Sequence, residues 1–209
     1  MLPDPNEFVL PRNLIAGVVR AVTATLSEEG IRVVCCGGAA RDAYHFRTPK
    51  DFDFVVLYEP NYAEPIDDVQ AEMVEWAFTK NTDFDSIQVM LNYAESNLQL
   101  HWVVKARWKG VGVDIISPKS RCATPQEAVG ALDTTLNAAW FDVSTPLTLV
   151  RTLPGVYPDV QDDIAVRLMY PFSCNAARIE YLRGKYPQYR YDIKPDELIQ
   201  TQGAPCAAS

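Results

Sequence analysis

The 209-residue sequence predicts an α+β fold built on a mixed sheet. Segments with the patterns of helices and of strands occur in mixed order along the chain. Two strand candidates are separated by a short turn at Lys109 and Gly110, as in an antiparallel hairpin, which argues against a doubly wound sheet. Hydrophobic residues make up 48% of the chain, enough to bury a substantial core.

The first part of the chain contains most of the predicted strands. An amphipathic helix is expected over residues 14–29, because its apolar residues share one face, and Gly30 is expected to end it. The segments that follow are, in order, the strand "IRVVCC", a helix within "GGAARDAYHF", the strand "DFDFVVLY", a helix near 66–80, and the strands "SIQVMLNY", "LQLHWVVKARW" and "VGVDIIS".

The remainder of the chain is predicted to be mostly helical. We expect helices at "TPQEAVGALDTTLNAAWF", "QDDIAVRLMY" and "SCNAARIEYLRGKY", with one strand at "PLTLVRT". The tail "QTQGAPCAAS" has the composition of a disordered end.

Composition argues against several classes of protein. No apolar run approaches the roughly 20 residues that span a bilayer, and the N-terminus lacks the basic-then-apolar order of a signal peptide. We therefore expect a soluble, cytoplasmic protein with no membrane partner. The five cysteines are an odd number without C-x-x-C spacing, which argues against a disulfide framework or a zinc site. Cys35 and Cys36, in a predicted strand, are expected to be buried free thiols.

The net charge of −8 also bears on function. A broad nucleic-acid-binding surface is normally basic. The acidic chain therefore favours either a local basic patch or a small anionic substrate that is held through a metal ion.

A strand that begins with two carboxylates is the first functional signal. Strand side chains alternate between faces, so Asp51 and Asp53 point one way and the intervening Phe52 the other. Such carboxylates repel each other unless a cation lies between them, and Mg²⁺ prefers one or two carboxylates with phosphate oxygens and water. Asp114 lies within the apolar strand "VGVDIIS". If that strand neighbours "DFDFVVLY", three carboxylates converge, as in two-metal phosphoryl or nucleotidyl transfer.

Gly37 and Gly38 end one predicted strand and open the next helix. Without a Cβ the backbone can approach a ligand, and the first turn of a helix offers amides and a positive dipole end to phosphate. The simpler explanations are a tight turn for the glycines and a solvated strand start for the D-x-D pair. Since the glycines end one strand and the carboxylates begin the next, we expect a phosphate cradle and a metal clamp at one sheet edge.

The combined stretch "GGAARDAYHFRTPKDFDFVV" resembles a known family. It is similar to the head domain of the class II tRNA nucleotidyltransferases (CCA-adding enzymes) and bacterial poly(A) polymerases, in the DNA polymerase β-like nucleotidyltransferase superfamily. The family pattern is G-G-x-x-R-D, a short helix, a basic loop with proline, and K-D-x-D in a strand. Weaker similarities at "DTTLNAAWFD" and "AARIEYLRGKYP" extend the resemblance over roughly residues 13–187.

The resemblance implies a fold and a set of site residues. The fold would be a five-stranded mixed sheet flanked by helices, with a catalytic domain at residues 1–150 and a neck-like helical segment with a disordered tail at 151–209. The metal ligands and catalytic residues implied for two Mg²⁺ or Mn²⁺ ions are Asp51, Asp53 and Asp114. The residues implied for binding an NTP such as ATP are Gly37, Gly38, Arg41, Asp133 and Asn137. Arg41 would either reach phosphate or pair with an acid.

Departures from the family leave the base and the acceptor open. Ala131 and Leu132 stand where the family has two arginines, and the E-D-x-x-R element that reads the base has no clear counterpart. We expect transfer to an RNA or tRNA end, with acceptor-binding residues Arg178, Arg183 and Lys185. The alternatives are a protein or small-molecule acceptor, in a toxin-like or phage-encoded enzyme, and a nucleotide-binding protein that has lost catalysis.

Overall fold

The structure, a computed structural model, describes residues 12–58, 67–91, 100–119, 121–144, 148–170 and 174–199. The helices in these ranges are α1 (Arg12–Glu28), α2 (Gly38–Tyr44), α3 (Asp67–Lys80), α4 (Pro125–Gly130) and α5 (Ala176–Lys185). The strands are β1 (Arg32–Cys35), β2 (Asp51–Leu57), β3 (Phe84–Leu91), β4 (Leu100–Trp108), β5 (Val111–Pro118), β6 (Ala139–Asp142) and β7 (Leu149–Thr152). Short 3₁₀ turns lie at Thr135–Asn137 and Pro195–Glu197.

Five strands form one mixed sheet in the order β1-β2-β5-β4-β3. β2 and β5 run parallel, while the other neighbouring strands are antiparallel. The predicted hairpin joins β4 to β5, and its turn residues Lys109 and Gly110 have positive φ angles of 49° and 84°. The expected α+β fold with a five-stranded mixed sheet is therefore confirmed.

One face of this sheet packs against helices. Phe52 and Phe54 of β2 are fully buried, as is Val113, which lies beside Phe52 on β5. α1 contacts β1, and α3 contacts β3 and β4. A Cβ at Gly17 of α1 would lie 3.4 Å from the Trp108 ring, so the helix packs closely on the sheet. On the opposite face, β2 begins with Asp51 and Asp53 and continues with the buried Val55 and Leu57, so the polar part of this face is at the start of the strand.

The helix predicted at "TPQEAVGALDTTLNAAWF" is correct only at its start. The Thr124 side chain caps α4 by accepting a hydrogen bond from the Glu127 amide at 3.3 Å, and the helix ends at Gly130. The Asp133 carboxylate then accepts from the Thr134 amide at 2.8 Å, a local bond that competes with helical pairing. The rest of the segment forms a 3₁₀ turn and β6, which pairs with β7 in a separate two-stranded sheet.

The helix predicted at "QDDIAVRLMY" is wrong. The Asp159 carboxylate accepts from the Gln161 amide at 2.7 Å, and the backbones of Asp159 and Ile164 exchange two hydrogen bonds of 3.1 and 2.8 Å. These bonds close a turn of the kind that aspartate favours. Val166 then pairs with Tyr191 in an isolated bridge. Pairing with distant residues therefore replaces the expected local helix.

The C-terminal part of the described chain contains one helix, α5, where a helix was predicted. Leu182 and Tyr186 at this helix are fully buried and belong to the same hydrophobic core as the five-stranded sheet. The domain division at residue 150 falls within β7 and stays a prediction. The predicted disordered tail lies outside the described residues.

Two expectations from composition can be compared with the described residues. The cysteines among them are buried free thiols, as expected for Cys35 and Cys36: Cys35, Cys36, Cys122 and Cys174. Cys206 lies outside the described residues. Among the helices that the structure describes, none is long and apolar enough to cross a membrane.

Candidate active site

β2 and β5 bring three carboxylates side by side. The alternation of strand side chains puts Asp51 and Asp53 on the face opposite the fully buried Phe52. In the parallel pairing of the two strands, Asp53 lies directly beside Asp114. The strand neighbourhood that would make the three acids converge is therefore present.

The Asp53 carboxyl lies largely buried among the other acids. Burial, together with repulsion from Asp51 and then Asp114, raises its pKa to about 7, while the charges of Lys105 and Arg178 act in the opposite direction. Near neutral pH the metal-free protein therefore holds a proton on Asp53 about half of the time. A divalent cation bound here would displace that proton.

Lys105 of β4 supplies a positive charge to this group of acids. It lies directly opposite Asp114 in the antiparallel pairing of β4 with β5, and its Nζ donates to Asp114 Oδ2 at 2.5 Å. No sequence motif marks Lys105. The hairpin turn at 109–110 nevertheless sets the register that places position 105 opposite position 114, so this neighbour could have been found by counting back from the turn.

The carboxylates are suitable ligands for a divalent cation, although they do not form a complete three-ligand site. Among the described residues, no three His, Cys, Asp or Glu side chains are grouped closely enough to hold an ion, and Asp114 is engaged by Lys105. Asp51 and Asp53 supply the one or two hard oxygen ligands that Mg²⁺ combines with phosphate oxygens and water. The donor set therefore fits ions that arrive with a phosphorylated substrate.

A cavity of about 780 Å³ opens beside the carboxylates. Pockets that take small-molecule substrates have volumes of this order. Asp51 and Asp53 line the cavity together with Gly37, Gly38 and the exposed Lys50, and Asp114 lies one strand further along the sheet. The glycines and carboxylates predicted to share one edge of the sheet thus border one cavity.

Gly37 is held in a conformation that favours glycine. Its φ is +71°, and a Cβ there would also come within 3.3 Å of the Leu132 side chain. Its amide donates to the Ala139 carbonyl at 2.9 Å. The amides within reach of a phosphate are therefore those of the first turn of α2, beginning with Gly38. The pair forms a tight turn and borders the cavity, so the two explanations considered from the sequence are compatible.

Arg41 pairs with an acid, which was one of the two roles predicted for it. The residue is 3% exposed, and its guanidinium donates to Asp42 Oδ1 at 2.7 and 2.9 Å. It also donates to Asn137 Oδ1 at 2.6 Å and to the Tyr186 hydroxyl at 3.1 Å. Arg41 reaches the cavity wall, but its donors are directed at these partners.

Asp42 connects α2 to α5. Its carboxylate accepts from Lys185 Nζ at 2.6 Å and from the Tyr186 hydroxyl, in addition to Arg41. Burial favours the neutral acid, but Arg41, Lys185 and Tyr186 together hold the pKa of Asp42 below its ordinary value. The helix that follows the two glycines is thereby tied to the C-terminal helix.

Asp133 and Asn137 also line this cavity, and both come from the segment between α4 and β6. Asn137 Nδ2 donates to Asp133 Oδ1 at 2.5 Å, and Arg178 Nε donates to Asp133 Oδ2 at 3.3 Å. The structure therefore brings both predicted nucleotide-binding residues to the cavity. Their contact with a nucleotide stays a prediction.

The three residues predicted to bind an acceptor do not all lie at the cavity. Arg178 and Lys185 line the cavity, as does Tyr181, whose hydroxyl accepts from Lys185 Nζ at 3.3 Å. Arg183 instead forms an exposed pair with Glu180 on the same helix, at 2.7 Å. These basic residues are close together in the sequence but do not share one surface, since Arg178 and Lys185 line the cavity and Arg183 lies on the outer face of α5.

No protein-family model and no curated protein matches the sequence. Solved structures do share its fold. The CCA-adding enzyme of Thermotoga maritima complexed with tRNA-CCA has a TM-score of 0.59 and 17% identity, over 90% of this chain and 40% of that one. A CCA-adding enzyme with ATP has a TM-score of 0.55 and 18% identity, over 86% and 40% of the two chains. A tRNA-processing enzyme, apo form I, has a TM-score of 0.53 and 18% identity, over 92% of this chain and 46% of that one.

This chain spans less than half the length of each of these solved chains. At such low identity the likeness concerns the fold. The mixed sheet with its flanking helices is the fold expected from the "GGAARDAYHFRTPKDFDFVV" stretch. The protein therefore has the fold of CCA-adding enzymes over the part that the two have in common.

Proposed function

We propose that this protein is a metal-dependent nucleotidyltransferase, which moves a nucleoside monophosphate from an NTP to a hydroxyl group. One observation carries the proposal: Asp51 and Asp53 border the cavity that Gly37 and Gly38 also line, and Asp114 lies beside Asp53 on the adjacent strand, in a fold shared with CCA-adding enzymes. The raised pKa of Asp53 supports it further, because it arises from burial and then from repulsion by Asp51 and Asp114, and a bound cation would relieve that repulsion.

The cavity is assigned to the NTP. In this proposal the phosphates lie near the first-turn amides of α2 and beside Lys50, an exposed cation next to Asp51 in the sequence. The sugar and base extend toward Asp133 and Asn137 on the same cavity wall. Arg41 would act by holding Asn137 in place, through the hydrogen bond from its Nη1 to Asn137 Oδ1.

The reaction forms a bond between the acceptor oxygen and the α-phosphorus while the bond to pyrophosphate breaks. Two divalent ions, held by Asp51 and Asp53 with Asp114 completing the second site, would neutralise the triphosphate and activate the acceptor oxygen. Asp114 lies beside Asp53 on the neighbouring strand and is not among the residues that line the NTP cavity. We therefore propose that Asp114 accepts the proton that the acceptor hydroxyl loses.

An RNA end, such as that of tRNA, is the first candidate acceptor. The support is the fold shared with an enzyme solved with tRNA, together with Arg178 and Lys185 at the cavity. A hydroxyl of a protein or small molecule is the second candidate. It is favoured by the net charge of −8 and by the pairing of the α5 cations with acids of the same chain.

Transfer of labelled nucleotide tests the function and the acceptor together. Purified protein with Mg²⁺ or Mn²⁺ is incubated with each α-labelled NTP and with total tRNA, other RNA or cell extract. We expect label in RNA, and we expect it to disappear in Asp53→Asn. Asp83→Asn is the matched control, because Asp83 is an exposed acid that pairs with Lys109, so its loss changes the charge equally.

The possible outcomes separate the candidates. Label found only in protein would refute the RNA acceptor and support the second candidate. No label in any acceptor, combined with no metal-dependent binding of NTP, would refute the enzymatic proposal. If Asp83→Asn loses as much transfer as Asp53→Asn, the loss is caused by the change in net charge and not by removal of a carboxylate from the site.

A further inference from the structure

Lys105 is part of a row of polar side chains that crosses the sheet. In strand register, Asp53 lies beside Asp114, Asp114 opposite Lys105, and Lys105 opposite Gln88. The Lys105–Asp114 pair is 2.5 Å long, and the two side chains are 41% and 26% exposed. Solvent ions therefore have access to this pair, and the long lysine side chain has room to move away from it.

A lysine in this position and a divalent ion are attracted to the same carboxylate. The ammonium lies in hydrogen-bond contact with Asp114, the acid that would complete a three-carboxylate site with Asp51 and Asp53. Two cations a few ångströms apart repel each other, most strongly where the surroundings are partly buried. Among the described residues no three His, Cys, Asp or Glu side chains form a cluster that could hold an ion, and Asp114 is in contact with Lys105 instead.

We propose that Lys105 is an internal counter-ion that keeps a divalent ion from Asp114 until a nucleotide triphosphate is bound. The inference rests on the proposed function, because it concerns the same carboxylates. A triphosphate in the cavity adds several negative charges beside Asp51 and Asp53. These charges attract the ion and shift the balance at Asp114 from lysine to metal. Metal binding is thereby linked to nucleotide binding.

Mn²⁺ binding without nucleotide tests this role directly. Free Mn²⁺ is measured by electron paramagnetic resonance as the ion is titrated into wild type, Lys105→Met and Lys109→Met. Lys109 is the matched control, since it pairs with Asp83 at 3.0 Å in the hairpin region and its loss changes the charge equally. We expect Lys105→Met to bind Mn²⁺ roughly tenfold more tightly than the other two proteins, as removal of a unit charge beside the ion implies.

Lys105→Arg provides a second variant that keeps the positive charge. It should bind Mn²⁺ as weakly as wild type, and tight binding by this variant would overturn the proposal. Equal affinities of wild type and Lys105→Met, or an equal gain in Lys109→Met, would also overturn it. Circular dichroism and thermal unfolding in EDTA establish that each variant is folded before titration.

The titration is repeated with a non-hydrolysable NTP analogue. We expect wild type to bind Mn²⁺ more tightly than without the analogue, and the advantage of Lys105→Met to shrink. If wild type binds Mn²⁺ tightly with the analogue, but Lys105→Met binds Mn²⁺ no more tightly than wild type without it, the role of Lys105 is overturned and the metal-dependent function is not. Failure of every protein to bind Mn²⁺, even with the analogue, overturns the metal-dependent function as well.

Discussion

Asp53 lies between two other carboxylates on a largely buried part of β2, and its protonation depends on these neighbours. Burial, Asp51 and Asp114 raise its pKa to about 7. The pKa of the folded state therefore lies above that of an unfolded aspartate, about 4. The folded, metal-free protein binds more protons than the unfolded chain between about pH 4 and 7. The stability that this provides is complete below pH 4 and is lost as the pH rises through 7.

Asp53→Asn should therefore stabilise the metal-free protein at pH 8 while abolishing transfer. The expected gain in the free energy of unfolding is on the order of 4 kcal/mol at pH 8, from the roughly three units between the two pKa values, and close to zero near pH 4, because asparagine carries no charge at either pH. Urea unfolding in EDTA at the two pH values measures it. Loss of stability at pH 8, or the same change at both pH values, would contradict the assigned pKa.

Arg41 shows which residue-level properties could not be predicted from the sequence. Its motif left open whether it reaches a phosphate or pairs with an acid. The answer depends on Asn137 and Tyr186, which lie 96 and 145 positions along the chain. Contacts over such separations are determined by the packing of the 3₁₀ turn and α5 against α2, and a local pattern carries no information on them.

Among the secondary-structure elements, α2 and α5 are joined by one buried carboxylate. Asp42 accepts hydrogen bonds from Lys185 and Tyr186 of the C-terminal region while it pairs with Arg41 of its own helix. α2 begins at the glycines that border the cavity. The position of this wall of the cavity therefore depends on the docking of α5.

Lys185→Met should weaken this connection, with a cost of about 1–3 kcal/mol in the free energy of unfolding, because Asp42 would lose one of its cationic partners in a buried site. Arg183→Met is the matched control on the same helix. Its exposed pair with Glu180 should be worth less than about 0.5 kcal/mol. Urea unfolding at neutral pH compares the two. Equal losses would show that Asp42 does not tie α5 to α2.

The strands of the main sheet could be predicted, whereas the segment between β7 and α5 could not. β2 and β5 have alternating or continuous apolar patterns, and the turn at 109–110 sets the register of the hairpin. A helix was predicted at residues 161–170, but Ile164 instead pairs with Asp159 across a turn and Val166 pairs with Tyr191. Such pairing over long separations overrides local propensity, which explains why this prediction failed.

For the whole molecule, the distribution of charge bears on the acceptor. The net charge is −8, and the cations on α5 are paired with acids: Arg178 with Asp133, Arg183 with Glu180 and Lys185 with Asp42. The cations of α5 are thus already neutralised by acids of the same chain before any RNA phosphate binds.

The salt dependence of RNA association should reflect this distribution. A protein that neutralises Z phosphates of a single strand loses affinity with a slope of about −0.7Z in log K against log salt. With Lys50 exposed at the cavity, and Arg178 and Lys185 there paired with acids, we expect one or two neutralised phosphates and a slope near −1. Fluorescence anisotropy with labelled tRNA measures the slope at several salt concentrations.

Two variants test which residues produce the salt dependence of RNA association. Lys50→Met should reduce its magnitude by about 0.7, the value for one phosphate, while Arg183→Met should leave it unchanged, because that cation lies on the outer face of α5. A slope steeper than about −4 would contradict the expectation, since the described cavity holds too few cations to produce it. Nucleotide transfer without any RNA association would instead favour a protein or small-molecule acceptor, whose recognition does not require a basic surface.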